Sequence, residues 1–560
     1  MHNKDKYNIF EITRQTSYMP KLSPIFSNGA NLEVITNKKD KTQINNDIKQ
    51  LFPKLSTEYS NILEISKQIT KKKINKPLNI GIIFSGGPAP GGHNVISGLF
   101  DAIKSIHKNN KLFGFLNGSD GIINDHYIEI TDVLLRHYRN TGGFDMLGTS
   151  RTKLHTEEQF KIITKKIKEM QINSLVIIGG DDSNTNAAKL AEYFLKNNIK
   201  INVIGCPKTI DCDLKNRFIE TTFGFDTACK TYSNLISNIQ KDILSSKKHW
   251  HFVRLMGRKA SHITLECALQ THPNITIISE EIVHNKHTML DLIRYISTII
   301  LERSKNGMNY GIVLLPEGLI EFIPETKKLI DEVKIIINKD YSCIQKLTET
   351  ELIEYIGQHK LLSIESKTFY NLLSPELKKQ FLVGTDSHGN LQITNIKIDE
   401  ILVNLISKYL KENYKINNIE SICKNFVCHF FGYEGRCATP SNFDATYCYN
   451  LGYTIASLIN SKNTGYIAYI KNLTEDISKW TFGSLPIISM MHITERNNSK
   501  STVIKTTLVN IKSKSYLELQ KYKKQWAMTD SYYLIPPTQY FGSDEICETK
   551  PMSLLIEYKK

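Results

Sequence analysis

The sequence predicts an α/β protein with two doubly wound domains, each built on a mainly parallel sheet. Three observations indicate this class. Short apolar runs of strand length alternate with apolar patterns of helical spacing. Several of these runs end in glycine or polar loops, as strands that lead into helices do. At 560 residues and 64.1 kDa, the chain is also long enough for two hydrophobic cores with insertions.

The first domain is predicted over residues 78–221. It opens with the strand LNIGIIF, the glycine-rich loop SGGPAPGG and a helix that contains HNVISGLF. The pattern then repeats with the strands KLFGFL, SLVIIGG and INVIGC and with the helix NTNAAKLAEYFLKNN. Strands that alternate with helices in this way form a parallel sheet with helices on both faces.

The second domain is predicted over residues 222–320 and 426–498. A long helix after FGFDTA precedes the strands WHFVRLMG, ITIIS and YGIVLLPEG, and the pattern resumes with VCHFFGYEGR and the helix FDATYCYNLGYTIASLIN. Within residues 321–425 the alternation is lost. Segments such as IDEILVNLISKYLKEN have the apolar periodicity of amphipathic helices, so this region is predicted to be a largely helical insertion.

The two ends of the chain have weaker patterns. Residues 1–77 are polar, rich in lysine and interrupted by prolines, and we expect an N-terminal extension that packs on the body and carries no chemistry. Residues 499–560 are expected to form a C-terminal segment that also packs on the body.

Composition and charge exclude several classes of protein. The chain has 71 Lys and Arg against 56 Asp and Glu, but its densest basic run, KKKINK, lacks the aromatic residues of a nucleic-acid surface. Ten cysteines occur without a C-x-x-C pair or a secretory segment, which favours the reducing cytoplasm. Because a membrane span needs about 18–20 consecutive apolar residues, we expect a cytoplasmic protein that binds neither membrane nor nucleic acid.

Four loops that follow predicted strands are candidates for ligand binding: SGGPAPGG, GGDDSNT, PKTIDCD and LPEG. Ligands of open α/β sheets bind at the carboxyl ends of the strands, where helix N-termini favour anions. The first loop lacks the Lys-Ser/Thr pair of a P-loop and the G-x-G-x-x-G spacing. A phosphate there would be held chiefly by backbone amides, although a tight turn would also explain this loop taken alone.

Two acidic pairs lie about thirty residues apart at the ends of neighbouring predicted strands: Asp181 with Asp182, and Asp211 with Asp213. Either pair could be a solvated turn or a helix cap. In phosphoryl transfer, carboxylates bind magnesium and accept the proton of the attacking hydroxyl. The residues alone leave both interpretations open.

The motifs SGGPAPGGHN, LGTSR, GGDDSNTNAA, PKTIDCDL, FGFDTA, RLMGR, LPEG and YEGRCATPSNFD, in this order, resemble the long, pyrophosphate-dependent branch of the phosphofructokinase family. The resemblance covers roughly residues 78–320 and 425–470. It implies two domains of the phosphofructokinase type with an N-terminal extension and a helical insertion. It also implies transfer of a phosphoryl group from pyrophosphate to fructose 6-phosphate with Mg²⁺, in a homodimer whose active sites are shared between subunits.

The resemblance also implies roles for individual residues. Gly86, Gly87 and Arg151 are expected at the phosphoryl donor, Asp181 at magnesium, and Asp211 as the acceptor of the proton from the sugar hydroxyl. Lys248 and His249 correspond to positions that reach into a neighbouring subunit. The remaining substrate-binding positions are Thr209, Asp213, Met256, Gly257, Arg258, Glu317, Tyr433 and Arg436.

Two positions in the resemblance concern the donor. ATP-using relatives have glycine where this chain has Asp182 and Lys208. An aspartate beside the donor would repel the α-phosphate of a nucleotide, and the lysine could neutralise the departing phosphate. The rival interpretations are an ATP-dependent phosphofructokinase with atypical loops and a regulatory subunit that keeps the fold without catalysis.

Overall fold

The computed structural model describes residues 18–40, 42–70, 76–152, 154, 156–344, 346–382, 396–414, 422–423, 425–496, 499–533 and 550–558. The chain divides into two compact units. Unit 1 consists of the described residues of Met1–Ala228, Tyr433–Thr507 and Thr538–Lys560, and unit 2 of those of Cys229–Gly432 and Leu508–Pro537.

The described residues form fifteen strands. In chain order they are β1 Leu32–Thr36, β2 Leu63–Ile69, β3 Asn79–Phe84, β4 Lys111–Phe115, β5 Tyr127–Ile130, β6 Ile172–Gly179, β7 Asn202–Pro207, β8 Trp250–Leu255, β9 Ile275–Thr276, β10 Gly311–Pro316, β11 Phe426–Phe431, β12 Tyr466–Lys471, β13 Thr481–Pro486, β14 Met491–Arg496 and β15 Ser499–Ile504.

Unit 1 contains a nine-stranded sheet in the order β1-β2-β13-β12-β7-β6-β3-β4-β5. Its central strands, from β12 to β4, pair in parallel, and antiparallel strands flank them. The predicted strands β3, β4, β6 and β7 are confirmed. Strands β3, β6 and β7 are apolar and almost entirely buried, because helices cover both faces of a parallel sheet.

The helices of unit 1 include those expected after β3 and β6. Its α-helices are Asn46–Leu51, Pro53–Glu58, Gly92–Ile106, Ser119–Ile123, Asp132–Arg136, Glu157–Glu169, Asp181–Lys196, Tyr433–Arg436, Asn442–Asn460 and Met552–Tyr558, and its 3-10 turns are Pro24–Phe26, Ile477–Lys479 and Ile487–Met490. The helix Phe225–Ser246 begins in unit 1 and ends in unit 2.

Unit 2 contains a four-stranded parallel sheet in the order β11-β8-β10-β9. Its α-helices are His262–Thr271, Ser279–Asn285, Met289–Lys305, Pro324–Lys339, Tyr341–Ile344, Glu349–Gln358, Ile364–Leu372, Pro375–Gln380, Ile398–Asn413 and Lys514–Met528, with a 3-10 turn at Glu317–Glu321. The described part of residues 321–425 is helical, as the sequence predicts.

Two segments take part in the large sheet in a way that the sequence patterns do not indicate. The N-terminal region supplies β1 and β2, and β2 pairs with β13. Strands β12 and β13 fall within the predicted second domain, residues 426–498, yet β12 pairs with β7 in unit 1. The reason is that backbone pairing over several hundred residues leaves no periodic signal in the sequence.

No helix in the described part of the chain combines the length and the apolarity that a membrane span requires. The basic run KKKINK lies outside the described residues, apart from its last lysine.

Candidate active site

Three of the predicted loops meet at the carboxyl ends of β3, β6 and β7 in unit 1. The amide of Ser85, after β3, donates to the carbonyl of Ile178 in β6 at 2.9 Å. The amide of Lys208, after β7, donates to the carbonyl of Gly179 at 3.0 Å. The hydroxyl of Ser183 donates to that of Ser85 at 2.9 Å. The loops are therefore fixed to one another.

The glycine-rich loop after β3 requires its first two glycines. Gly86 has φ +81°, and a Cβ at Gly87 would lie 1.8 Å from Nη2 of Arg436. The amide of Gly86 donates to the carbonyl of Ser150 at 2.9 Å, and Arg151 follows with an exposed side chain. A side chain at Gly87 would displace the guanidinium of Arg436 from this position.

Asp181 and Asp182 are the first two residues of the helix Asp181–Lys196. The N-cap position is Gly180, so neither aspartate is the N-cap. The amide of Asp182 donates to Oδ1 of Asp181 at 2.9 Å, and both side chains are half-buried. Negative charge is favourable in the first turn of a helix, and the carboxylate of Asp181 lies within electrostatic reach of Lys208 in the loop after β7.

Lys208 is a buried cation at the centre of this set, with 6% of its surface exposed. Its ammonium donates to the carbonyl of Gly87 at 2.7 Å. Burial, and next the positive charge of Arg436, lower the pKa of the Lys208 ammonium to about 8. Three carboxylates oppose this shift electrostatically: Asp211, Asp213 and Asp181. The structure thus brings four predicted site residues within electrostatic reach of Lys208.

The loop after Lys208 is held at both ends. The amide of Asp211 donates to the hydroxyl of Thr209 at 3.1 Å, and the amide of Thr507 donates to the carbonyl of Asp213 at 2.8 Å. Between the two aspartates, Cys212 has φ +56° and is buried, and burial raises the pKa of its thiol. A buried thiol of raised pKa is poorly reactive. We therefore interpret Cys212 as a structural residue of the turn between the two aspartates.

Unit 2 carries its own set of predicted residues at the ends of β8 and β10. The amide of Gly257 donates to Oε2 of Glu317 at 3.3 Å, and Glu317 is 1% exposed. A Cβ at Gly318 would lie 1.9 Å from the carbonyl oxygen of Arg258. Met256 and Arg258 are half-buried. The motifs RLMGR and LPEG are thus packed backbone against backbone.

Two further predicted residues, Lys248 and His249, lie away from the set of unit 2, and Tyr433 lies beside Arg436. Lys248 and His249 precede β8, at the opposite end from Arg258, and at roughly 3.3 Å per residue six strand residues separate the two ends by about 20 Å. Tyr433 is 67% exposed, and the guanidinium of Arg436 lies 5.5 Å from the centre of its ring.

The residues of unit 1 fit a magnesium ion shared with a substrate. No group of three or more His, Cys, Asp or Glu side chains in the described ranges forms a closed metal site. Magnesium is usually bound through one or two carboxylates and completed by water and substrate phosphates. Asp181, a half-buried carboxylate in the first turn of its helix, is an oxygen ligand of this kind.

Two structural contacts of the site were not anticipated from the sequence. The side-chain amide of Asn184 donates to the carbonyls of Gly179 at 2.6 Å and Gly180 at 2.9 Å, which fixes the turn before Asp181. The approach of Arg436 to Gly87 joins residues about 350 positions apart. Asn184 stands within the quoted motif GGDDSNTNAA, but a contact as distant as that of Arg436 has no local signal.

Comparisons with known proteins identify the family of the chain. The family model "Phosphofructokinase" matches residues 79–459. A pyrophosphate–fructose 6-phosphate 1-phosphotransferase of Porphyromonas gingivalis is 47% identical over 481 residues, which cover 86% of this chain and 87% of the relative. The beta 2 subunit of the Arabidopsis thaliana enzyme of that name is 43% identical over 498 residues, which cover 89% of this chain and 85% of that subunit.

A solved structure supports the fold independently. The pyrophosphate-dependent phosphofructokinase of Nitrosospira multiformis superimposes with a TM-score of 0.51 at 14% identity, over 85% of this chain and 97% of the other. At that identity the likeness concerns the fold alone. Together with the family match and the curated relatives, it establishes that the chain belongs to the phosphofructokinase family.

Proposed function

We propose that this enzyme transfers a phosphoryl group reversibly from pyrophosphate to the 1-hydroxyl of fructose 6-phosphate, giving fructose 1,6-bisphosphate and phosphate, a step of glycolysis. The names of its relatives support this activity. The observation that carries the assignment is the buried Lys208, whose ammonium lies 2.7 Å from the carbonyl of the donor loop residue Gly87.

Asp211 is the proton acceptor in this proposal. The bond from its own amide to Thr209, at 3.1 Å, holds the turn that presents the carboxylate. As the 1-hydroxyl oxygen attacks the terminal phosphorus, its proton passes to Asp211, and the bond from phosphorus to the bridging oxygen breaks. Asp213, which is buried in the same loop, supports this geometry.

Lys208 stabilises the phosphate that leaves. A preorganised cation in a buried site acts on developing charge much more strongly than one in water. With its pKa lowered to about 8, Lys208 is still mostly protonated at neutral pH. Gly86 and Gly87 provide the backbone, and Arg151 the guanidinium, that bind the donor phosphates.

Asp182 excludes nucleotides. Asp182 lies in the first turn of the helix Asp181–Lys196, and in this proposal its negative charge faces the donor. Pyrophosphate ends where a nucleotide would continue into its α-phosphate, and a carboxylate at that point repels the longer donor.

Asp181 would hold the magnesium ion. When bound, Mg²⁺ offsets the negative charge of the phosphates, which favours attack by the sugar oxygen. The bond from the amide of Asp182 to Oδ1 of Asp181 orients this carboxylate.

The sugar phosphate is assigned in unit 2 to Arg258 and the buried carboxylate of Glu317, and in unit 1 to Arg436. Arg258 and Arg436 have the planar donor geometry that matches phosphate. Glu317, oriented by the amide of Gly257, can accept hydrogen bonds from sugar hydroxyls. Thr209, Met256, Gly257 and Tyr433 complete the predicted sugar site.

The test is a coupled assay of the purified enzyme with fructose 6-phosphate and each donor in turn. We expect turnover with pyrophosphate and none with ATP, and formation of pyrophosphate in the reverse direction. Turnover with ATP alone would overturn the proposal in favour of an ATP-dependent phosphofructokinase. Absence of turnover with either donor would favour the non-catalytic subunit.

We also propose a homodimer with shared active sites. Lys248 and His249 lie at the end of β8 opposite Arg258, so a role for them at the sugar phosphate requires a second chain. His249→Ala and Arg258→Ala should each lose activity, whereas a refolded mixture of the two variants should regain part of it. A monomer in light scattering, or no regain, would contradict the shared site.

A cytoplasmic location is proposed from the cysteines. The nine cysteines in the described part of the chain are all free, and five of them are buried. Free thiols in this number suit a reducing compartment. Fractionation of cells that express the full chain tests this location, and recovery outside the cytoplasm would refute it.

A further inference from the structure

A separate cavity of about 430 Å³ lies in unit 1, beside the continuation of the loop that carries Asp211. Small-molecule sites typically measure about 300–1,000 Å³. Its apolar surface is formed by the buried side chains of Leu214, Phe218 and Leu485. A cavity with this apolar base can enclose the body of a small metabolite.

The same cavity is lined by three cations: Lys215, Arg217 and Lys505. Arg217 lies over the ring of Phe218 at 4.8 Å, and its guanidinium is 3.6 Å from Asp40, outside the lining. Among the described residues, neither Lys215 nor Lys505 forms an ion pair, and no carboxylate lines the cavity. Asp40 offsets part of the charge of Arg217, and the ammonium of Lys215 lies over the ring of Tyr558 at 5.6 Å. With two further cations and no carboxylate in its lining, the cavity carries a net positive charge, which favours an anion.

Neutral polar groups complete the lining. Asn216, Thr42, Gln43 and Ser489 place amide and hydroxyl groups around the cations. Such groups can donate hydrogen bonds to phosphate or carboxylate oxygens and orient a ligand. The combination of an apolar base, three cations and neutral donors suits a small organic molecule with more than one anionic group.

Backbone contacts link this cavity to the proposed catalytic loop. Thr507, which also lines the cavity, donates from its hydroxyl to the carbonyl of Lys215 at 2.6 Å. Its amide donates to the carbonyl of Asp213 at 2.8 Å. Thr507 thus contacts the backbone of both Lys215 and Asp213. A shift of Lys215 would therefore be transmitted to Asp213.

We propose that this cavity binds a small metabolite with a phosphate and a second anionic group, and that its occupancy changes turnover through the loop Lys208–Arg217. The cavity is distinct from the loops at the ends of β3 and β6, none of whose predicted residues lines it. The effect on turnover rests on the proposed function, whereas binding does not.

The binding test uses 2,3-bisphosphoglycerate as the probe and calorimetry on the full-length enzyme. Lys215→Gln and Lys505→Gln should each weaken binding about tenfold, because each removes one charge-assisted contact. Lys108→Gln, an exposed lysine elsewhere in unit 1, is the matched control and should bind as the wild type does. Lys208→Met should also retain binding, because Lys208 does not line the cavity.

Two binding results would overturn the proposal. One is no binding of the probe to the wild type at millimolar concentration. The other is binding that Lys208→Met abolishes while Lys215→Gln and Lys505→Gln leave it unchanged, which would place the probe at the active site.

The kinetic test separates this proposal from the proposed function. At saturating pyrophosphate and fructose 6-phosphate, the probe should change kcat of the wild type and of Lys108→Gln but not that of Lys505→Gln, whose basal activity should be normal. Binding without any change in kcat or KM would overturn the coupling to the loop. Absence of pyrophosphate-dependent turnover in the wild type would overturn the proposed function and leave the binding result standing.

Discussion

The proposed donor set of unit 1 and the part of the proposed sugar set that lies in unit 2 are constructed differently. In unit 1 a buried lysine lies among charged side chains, and the clash that a Cβ at Gly87 would produce is with the end of a flexible arginine. In unit 2 the motifs meet through their backbones, and a Cβ at Gly318 would strike a carbonyl. Changes in unit 1 should therefore alter turnover and its pH dependence, whereas changes in unit 2 should alter sugar affinity.

Asp211→Asn, in unit 1, should have the largest effect on turnover. The amide cannot accept the proton, and general-base catalysis typically contributes about 10²–10⁴-fold. We expect a loss of kcat of roughly that size with pyrophosphate. Steady-state kinetics measure it, with thermal melting as the control for folding. A kcat within tenfold of wild type would remove Asp211 from the role of base.

Lys208→Met should have the second largest effect. The loss of one preorganised charge typically costs about 10²–10³ in kcat, with little change in KM for fructose 6-phosphate. The pKa of Lys208, about 8 in the folded enzyme, gives this prediction a pH dependence. The ammonium is charged below that pH and neutral above it, so kcat/KM for pyrophosphate should fall as the pH rises through about 8.

The variant itself is the control for that pH profile. If Lys208 causes the alkaline decline, Lys208→Met should show a residual activity that does not fall in the same range. A decline that persists in the variant would assign it to another group, such as the substrate.

Gly318→Ala tests the corresponding expectation for unit 2, namely that a change there alters the affinity for the sugar. The added methyl would meet the carbonyl of Arg258, so the backbone must shift. We expect KM for fructose 6-phosphate to rise by about tenfold, which corresponds to a loss of about 1.4 kcal/mol of binding free energy. We expect kcat and KM for pyrophosphate to change little. Gly307→Ala introduces backbone strain at φ +75° but meets no atom within 4 Å, and it is the control for a general loss of stability. A defect in kcat alone would contradict the division of roles.

The smallest predicted effect concerns stability. Burial, and next the charge of Asp226, raise the pKa of the Asp444 carboxyl to about 7. A carboxyl that binds its proton more tightly when folded stabilises the fold below its unfolded pKa, and this contribution is lost as the pH rises through about 7. The melting temperature of wild type should thus fall by a few degrees more than that of Asp444→Asn between about pH 5.5 and 8. Equal shifts would refute the assignment.

The sequence was sufficient for the local features of both units. The strands β3, β6 and β7 follow from apolar runs that end in glycine or polar loops, and the parallel pairing of such strands brings their loops to one edge. The positions of Asp181, Lys208 and Asp211 at these strand ends are therefore predictable. Their roles remain predictions, which the substitutions above address.

The remaining features depend on contacts between distant parts of the chain. No local sequence pattern predicts that Arg436 contacts Gly87, or that β12 and β13 join the sheet of unit 1. The lowered pKa of Lys208 depends on burial by several elements at once. The cavity lined by Lys215 and Lys505 depends in the same way on segments nearly 300 residues apart.

The pairing of β2 with β13 has a consequence for biosynthesis. The ribosome completes β2 more than 400 residues before its partner β13. At about 5–20 residues per second, the edge of β2 stays unpaired for roughly 20–80 s. Exposed strand edges promote aggregation. During this interval the edge of β2 has to be protected by a chaperone or by other segments of the nascent chain. The N-terminal region, among the first parts of the large sheet to be made, is among the last to be stabilised.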